Sequence, residues 1–298
     1  MRLILPAVGV CLLLFLHGCD VFDKEEDIPG FVFVASAELE TDPLVEGENT
    51  HAITDVHVFY DGDFAGAYEL PAHIPIYGPG ERRLVIAPGI KNNGMGSNRV
   101  IYPFYDNTDI DVEIIPEVSV PITPDSVVVF KYFKGTSEGS PMHFLIDAFE
   151  LPGNVWIPQS DDSVGVINTT QPEYVRSGSG GGLVELNESR KKLLVYSSTD
   201  TWPLEDMPRG VPVYLEIDFK GDVAMEIGLR VIGQINRSVF VVGLNPTQEW
   251  TKVYVDLTDE INAPRDATNF QILLKAEKPD GMSEAVIAMD NIKLIYPK

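Results

Sequence analysis

Apolar residues in this chain come in short alternating or β-branched runs, cut every few positions by Gly, Pro, Asn or Asp. A period of two sends side chains to opposite faces of a strand, and those four residue types supply the backbone of turns. Very little of the chain carries the 3.6-residue period of a helix. The pattern predicts an all-β protein. "ITDVHVFYDGDFAGAYELP" reads as a hairpin in which Val56, Val58 and Tyr60 alternate, Asp61-Gly62 turns, and 65–70 returns. With "FVFVASAELE", a strand over 83–87 in "GERRLVIAPGI", "RVIYPFYDNTDIDVEII" and "DSVVVFKYF", it predicts a small antiparallel β-sandwich of Ig-like size over 29–134.

The polar, turn-rich "KGTSEGSP" predicts a linker over 135–142. Beyond it, over 143–298, come "LLVYSS", "VPVYLEIDFKG", "AMEIGLRVIG", "RSVFVVGL", "WTKVYVDLT", "NFQILLKAE" and "AVIAMDNIKLIY". Their spacing is regular and no helix intervenes, which predicts a second β-sandwich with jelly-roll connections. A length of 298 residues with 44% hydrophobic composition suits one large or two ordinary domains with packed cores. The formal net charge is −23, so phosphate backbones are repelled and nucleic acid is excluded as a partner.

The first residues assign a location. Arg2 precedes an apolar run over 3–16, too short to span a bilayer, which needs about 20 residues. "LHGC" at its end resembles the lipobox of bacterial lipoproteins. The resemblance implies a signal peptide over 1–18 and acylation of Cys19, hence a membrane partner through lipid. Cys11 would leave with the signal, so the mature chain would form no disulfide. "DKEED" (Asp23, Lys24, Glu25, Glu26 and Asp27) resembles the acidic export signal of surface lipoproteins of Bacteroidetes. It implies display at the cell surface of an outer membrane, on an acidic tether over 19–28.

The second sandwich resembles the galactose-binding-like jelly rolls that include many carbohydrate-binding modules. The residues that carry the resemblance are "FLIDAFE", "EWTKVYVDL" and "VIAMDNIKLIY". The whole chain resembles a group of two-domain lipoproteins of Bacteroidetes through "HAITDVHVFYDGDFAGAYELP", "GIKNNG" and "YPFY", and its hairpin resembles PEGA-type surface domains. The jelly-roll resemblance implies a structural calcium where first and last strands meet, with Glu150 and Asp290 as oxygen ligands and Asp147 as a weaker third.

Candidate ligand contacts follow from residue type. Sugar binding needs an aromatic plane beside polar groups. Trp202 in "SSTDTWPLEDMP" and Trp156 in "GNVWIPQS" lie in polar loops, whereas Trp250 opens a strand and reads as core. "GIKNNGMGSN" offers Lys91, Asn92 and Asn93 at a loop able to present amide groups, and "RSGSGGG" reads as a flexible loop. His51, His57, His73 and His143 show no metal-ligand spacing, and no G-x-S-x-G is present. The expected function is a non-catalytic binding or assembly module of the cell envelope, its partner an envelope protein or a glycan. A carbohydrate-binding lipoprotein of a glycan-uptake system and a glycan hydrolase stay open as alternatives.

Overall fold

The computed structural model describes residues 28–135, 141–151, 153, 155–205 and 207–298. Cys19, Asp23, Lys24, Glu25, Glu26 and Asp27 lie outside these residues, as does most of the expected linker.

The N-terminal sandwich holds ten strands: β1 (Gly30–Val34), β2 (Ser36–Glu40), β3 (Asp55–Tyr60), β4 (Asp63–Glu69), β5 (Ala72–Ile76), β6 (Gly80–Lys91), β7 (Arg99–Ile101), β8 (Thr108–Ile114), β9 (Ser119–Pro121) and β10 (Val127–Lys131). One layer is β4-β3-β6-β7, with β8 also on β6. Asp61 (φ 52) and Gly62 (φ 86) both take the left-handed conformation that a two-residue hairpin turn demands. The other layer is β5-β1-β9 continued by β2-β10. The pairs β1–β9 and β2–β10 are parallel, which corrects the expected all-antiparallel sandwich. Parallel partners cannot be joined by a tight hairpin, and here the strands of the facing layer lie between them in sequence. Alternation works as expected inside the layers: Val32, Val34, Ile74 and Ile76 meet Val56, Val58, Leu84 and Ile86, all fully buried.

The C-terminal sandwich follows as β11 (Met142–Asp147), β12 (Trp156–Pro158), β13 (Ser163–Val164), β14 (Ile167–Thr169), β15 (Gly181–Leu186), β16 (Lys192–Ser197), β17 (Tyr214–Gly221), β18 (Met225–Ile232), β19 (Arg237–Leu244), β20 (Thr247–Asp256), β21 (Asn269–Glu277) and β22 (Ala285–Pro297). One short helix, α1 (Thr258–Asn262), precedes β21. The inner sheet is β14-β15-β22-β17-β20, with β11 on β22; the outer sheet is β12-β16-β21-β18-β19, with β13 on β16. Val195, Ile227, Leu229, Ile272 and Leu274 of the outer sheet share one core with Leu215, Ile217, Ile287, Met289 and Leu294 of the inner sheet. Each such side chain contributes about 1.5–3 kcal/mol relative to exposure. The "MDNI" stretch is a β-bulge. Glu216 faces Lys293 and Asp218 faces Asp290, so two residues of β22 oppose one of β17, and Asn291 (φ 47) absorbs the extra turn.

The two sandwiches are joined over the far side of the inner sheet. There, Tyr214, Glu216, Asp218, Lys252, Tyr254 and Lys293 are all buried. Tyr102, Tyr105 and Tyr132 of the N-terminal sandwich pack onto them. Tyr102 meets Tyr105, Tyr254 and Tyr214 with ring centroids 4.6, 4.8 and 5.2 Å apart. Tyr214, Tyr254 and Ile295 thereby belong to the N-terminal apolar cluster, and one sheet carries a core on each face.

Candidate functional site

With the inner sheet covered, the outer sheet keeps a face that no other layer packs against among the described residues. Register fixes what lies across it. Ile157 of β12 pairs with Tyr196 of β16, Tyr196 with Leu273 of β21, Leu273 with Gly228 of β18, and Gly228 with Phe240 of β19. Strand alternation points all five away from the core. Leu273 is the buried floor, while Ile157 and Phe240 are exposed at the two ends. Gly228 keeps the floor low beside Phe240, since a Cβ there would strike the Val239 carbonyl.

Tyr196 does not stand up from this face. Its hydroxyl comes 3.4 Å from Ser238 Oγ on β19, although β21 and β18 lie between the two strands. A tyrosine can reach so far only if its ring lies along a concave sheet. The Arg230 Cζ lies over that ring, 4.8 Å from its centroid. Toward the other end, Lys275 Nζ sits 5.0 Å from the Phe240 centroid and 2.5 Å from Glu226 Oε2. Gln271 donates to the Ser197 carbonyl at 2.7 Å beside Arg230. At the Arg230 end the face deepens into a cavity of about 360 Å³, bordered by Gln159, Tyr196, Arg230, Asn236, Arg237 and Ser238. Aromatic surface, flanking donors and acceptors, and concavity coincide here. That combination orients a polar ligand with an apolar face.

None of these residues belongs to a motif or candidate site read from the sequence. The signal was present in alternation: in "LLVYSS" and "EIGLRVIG", Tyr196 and Arg230 fall opposite the β-branched residues. Which polar face stays open depends on where the other sandwich docks.

The tryptophan expectations are corrected. Trp156 and Trp202 are 1% and 2% exposed and pack against each other edge-on, centroids 5.7 Å apart, so neither offers a platform. The Trp156 indole donates to Asp147 Oδ2 at 3.0 Å, while Asp147 Oδ1 accepts from the Phe149 N–H at 3.1 Å. Trp250 is not core. It is half-buried on the far side of the inner sheet, with Lys220 Nζ 5.2 Å from its ring.

The 89–98 loop is not a free tip either. Asn93 N–H donates to the Tyr254 carbonyl at 2.9 Å, and Asp256 N–H donates to Asn93 Oδ1 at 2.8 Å. Asn92 bridges to Tyr254, so the loop extends the edge of β20 and fastens the sandwiches together. Lys91, Asn93, Phe219, Lys252 and Tyr254 border a cleft of about 430 Å³ between them. Its polar groups are largely committed to docking, for Lys252 Nζ lies 3.3 Å from Glu216 Oε2 and 3.7 Å from Asp218 Oδ2.

Glu150 and Asp290 are both held by the loop over 176–180, which is therefore an ordered clamp and not a slack connection. Glu150 Oε1 accepts from the N–H groups of Ser179 and Gly180 at 2.7 and 3.1 Å, and its Oε2 accepts from the Ser179 hydroxyl. That hydroxyl bond holds the Glu150 carboxyl below the usual range. Asp290 Oδ2 accepts from the N–H groups of Arg176 and Ser177 at 2.9 and 3.2 Å. Burial pushes the Asp290 carboxyl up to about 7 against those bonds. A hard cation takes about six to eight oxygen ligands. Around these two carboxylates converge N–H and O–H donors from one loop, a set that fits a hydrogen-bonded clamp better than a calcium shell. Among the described residues, no group of three or more His, Cys, Asp or Glu side chains is placed to hold a metal.

No family model and no curated protein matches the chain. Some solved structures show a partial likeness. One is the CBM22-1–GH10 portion of endo-1,4-beta-D-xylanase 10B of Clostridium thermocellum complexed with xylohexaose, 16% identical over 52% of this chain and 28% of that one, TM-score 0.37. The chain thus spans less than a third of that protein's length. Another is a xylan-binding domain from CBM 22, 14% identical over 53% of this chain and 96% of that one, TM-score 0.35. A third is the family 30 carbohydrate-binding module of a cellulosomal cellulase of Clostridium thermocellum, 17% identical over 51% and 96%, TM-score 0.39. All three TM-scores fall below 0.5, and what each of these binds is a property of that protein.

Proposed function

We propose that this chain is a non-catalytic glycan-binding protein whose ligand lies along the open face of the outer sheet. Envelope assembly, glycan capture and glycan hydrolysis all stood open in the sequence, and this face favours capture. The observation that carries the reading is Tyr196, laid along a concave sheet with Arg230, Gln271, Lys275 and Glu226 beside the row it belongs to. A sugar ring has C–H faces that pack on an aromatic plane and a rim of hydroxyls that needs donors and acceptors next to it. In the same reading, an acylated Cys19 keeps the protein at an outer membrane, with 19–28 as the tether. Fatty-acid labelling should then be lost in Cys19→Ser, and a wild type that takes no label would remove the anchor from the proposal.

The test is affinity electrophoresis of the full chain through gels containing neutral or acidic polysaccharides. Tyr196→Ala and Phe240→Ala should each weaken retardation ten-fold or more, at about 1.4 kcal/mol per decade, with melting temperatures unchanged. A wild-type protein that no polysaccharide retards, or that releases reducing ends from the one it binds, would defeat the reading.

A further inference from the structure

We infer that the ligand of this face is an anionic glycan, one carrying uronic-acid carboxylates, and that Arg230 is the residue that recognises its charge. The inference rests on the glycan reading above and specifies it.

Acidic residues outnumber Lys and Arg 45 to 22 in this chain, and several cations sit against a carboxylate: Arg83 has Asp109, Arg99 has Asp55 and Glu69, Lys191 has Asp280, and Lys275 has Glu226. Arg230 is among the cations that do not. Among the described residues it forms no ion pair, and its guanidinium is held against the Tyr196 ring at 4.8 Å. The ring's attraction for the cation holds the guanidinium in place and leaves N–H groups able to donate. A guanidinium fork matches a carboxylate with two parallel bonds.

The surroundings agree in sign. Among the described residues, the cavity of about 360 Å³ beside Arg230 has two arginines and no carboxylate on its walls. Arg237 is committed to Asp266, with contacts of 3.2 and 3.4 Å, and so braces the rim. Asn236 spends its Oδ1 on the Gly233 N–H, which leaves its amide N–H₂ for a ligand. Ser238 adds a hydroxyl. The free capacity is dominated by donors, and a carboxylate is an acceptor only. Long-range repulsion from a chain of net charge −23 works against any anion. An arginine without an ion pair at the mouth of this cavity supplies the local positive charge that an acidic ligand would need there.

The experiment is calorimetric titration of the full chain with oligogalacturonate and with its methyl ester, which has the same backbone with the carboxylates masked. Alginate oligomers form a second acidic arm, and dextran sulfate against dextran a third. An acidic uronate oligomer should bind at least ten-fold tighter than the ester. Arg230→Gln should bring acid and ester within two-fold of each other, and Arg230→Lys should fall between. The variants are compared at matched melting temperature. Equal affinity for acid and ester, or binding of dextran but neither uronate, would overturn the anionic assignment while leaving glycan binding intact. Preference for dextran sulfate over every uronate would move the recognised charge from carboxylate to sulfate and overturn the uronic-acid assignment. Binding to none of the probes would defeat the glycan reading itself.

Discussion

The Tyr132 hydroxyl lies 2.9 and 3.0 Å from the two carboxylate oxygens of Glu216, so a residue that closes the N-terminal sandwich is bonded to the middle of the C-terminal one. Tyr102 donates to the same Oε1 at 2.8 Å, and Lys252 lies 3.3 Å from Oε2. All four residues are buried. Removing one partner of a buried ion pair costs about 3–5 kcal/mol, because the other charge is left without compensation. Glu216→Ala should therefore lose about that much in chemical denaturation. Tyr132→Phe, which deletes one donor, should lose about 1.5–3 kcal/mol, the range for hydrogen bonds to charged groups. A Glu216→Ala variant within 1 kcal/mol of wild type would mean that the network adds nothing to the union of the sandwiches.

Lys293 gives this interface a pH dependence. Its Nζ donates to the Glu48 carbonyl at 2.7 Å and sits 5.2 Å from the Tyr132 centroid. Burial, reinforced by the neighbouring Lys252 charge, lowers its pKa to about 8. An unfolded lysine titrates near 10.4. Between those values the unfolded chain holds a proton that the folded chain has released, so this group makes stability rise with pH there. The cost of the buried charge is full below about 8 and is relieved as pH climbs toward 10. Measured against Lys293→Met, which does not titrate, wild-type stability should gain between pH 8 and 9.5. A flat difference across that window would refute the assignment. The comparison stops short of pH 10, where the buried tyrosines, their pKa values raised chiefly by desolvation, begin to contribute with the opposite sign.

Alternation made the strands legible, and Asp61-Gly62 marked its turn, because both signals are local. What stayed illegible depends on contacts far apart in sequence. In "VPVYLEIDFKG" the residues Tyr214, Glu216 and Asp218 alternate with apolar ones just as a solvated face would, yet all three are buried under the other sandwich. The parallel pairs β1–β9 and β2–β10 leave no hairpin signature. Tyr196 could be assigned to the same face as Leu194 and Lys192, but nothing nearby says that this face stays open. The Asp-Asn-Ile stretch stands out as a motif in the sequence, while its cause, a bulge that sets Asn291 at φ 47, depends on the partner strand.

Metal removal separates the two accounts of Glu150 and Asp290. The clamp over 176–180 draws its strength from hydrogen bonds to carboxylates, each worth about 1.5–3 kcal/mol, and needs no ion. Melting curves with and without a chelator should coincide. A bound cation at about 100-fold excess over its dissociation constant would add roughly 2.7 kcal/mol, so a fall of several degrees on chelation would restore the calcium site. Gly182 offers an independent probe, since a Cβ there would meet the Phe149 ring that packs beneath the clamp. Gly182→Ala should therefore destabilise the protein whether or not chelator is present.

Trp202 shows how burial decides between packing and binding. Its ring is 2% exposed, lies edge-on to Trp156, and belongs to the same cluster as Leu204, Val213 and Leu257. Proline and acids around it in sequence suggest a displayed loop, but the loop folds back and caps the end of the sandwich, with Trp202 N–H donating to the Ser198 carbonyl at 2.9 Å. Deleting a buried tryptophan removes its transfer energy and leaves a cavity, together about 3–5 kcal/mol. Trp202→Ala should lower stability by that order in denaturant. At temperatures where the variant remains folded, its affinity for any ligand of the outer sheet should stay within about two-fold of wild type, less than 0.5 kcal/mol, because no atom of Trp202 reaches the open face. Tyr196→Ala should behave in the opposite way, with stability kept and affinity lost. A Trp202→Ala protein of wild-type stability with weakened ligand capture would place the binding surface at that end of the sandwich and not on the Tyr196 face.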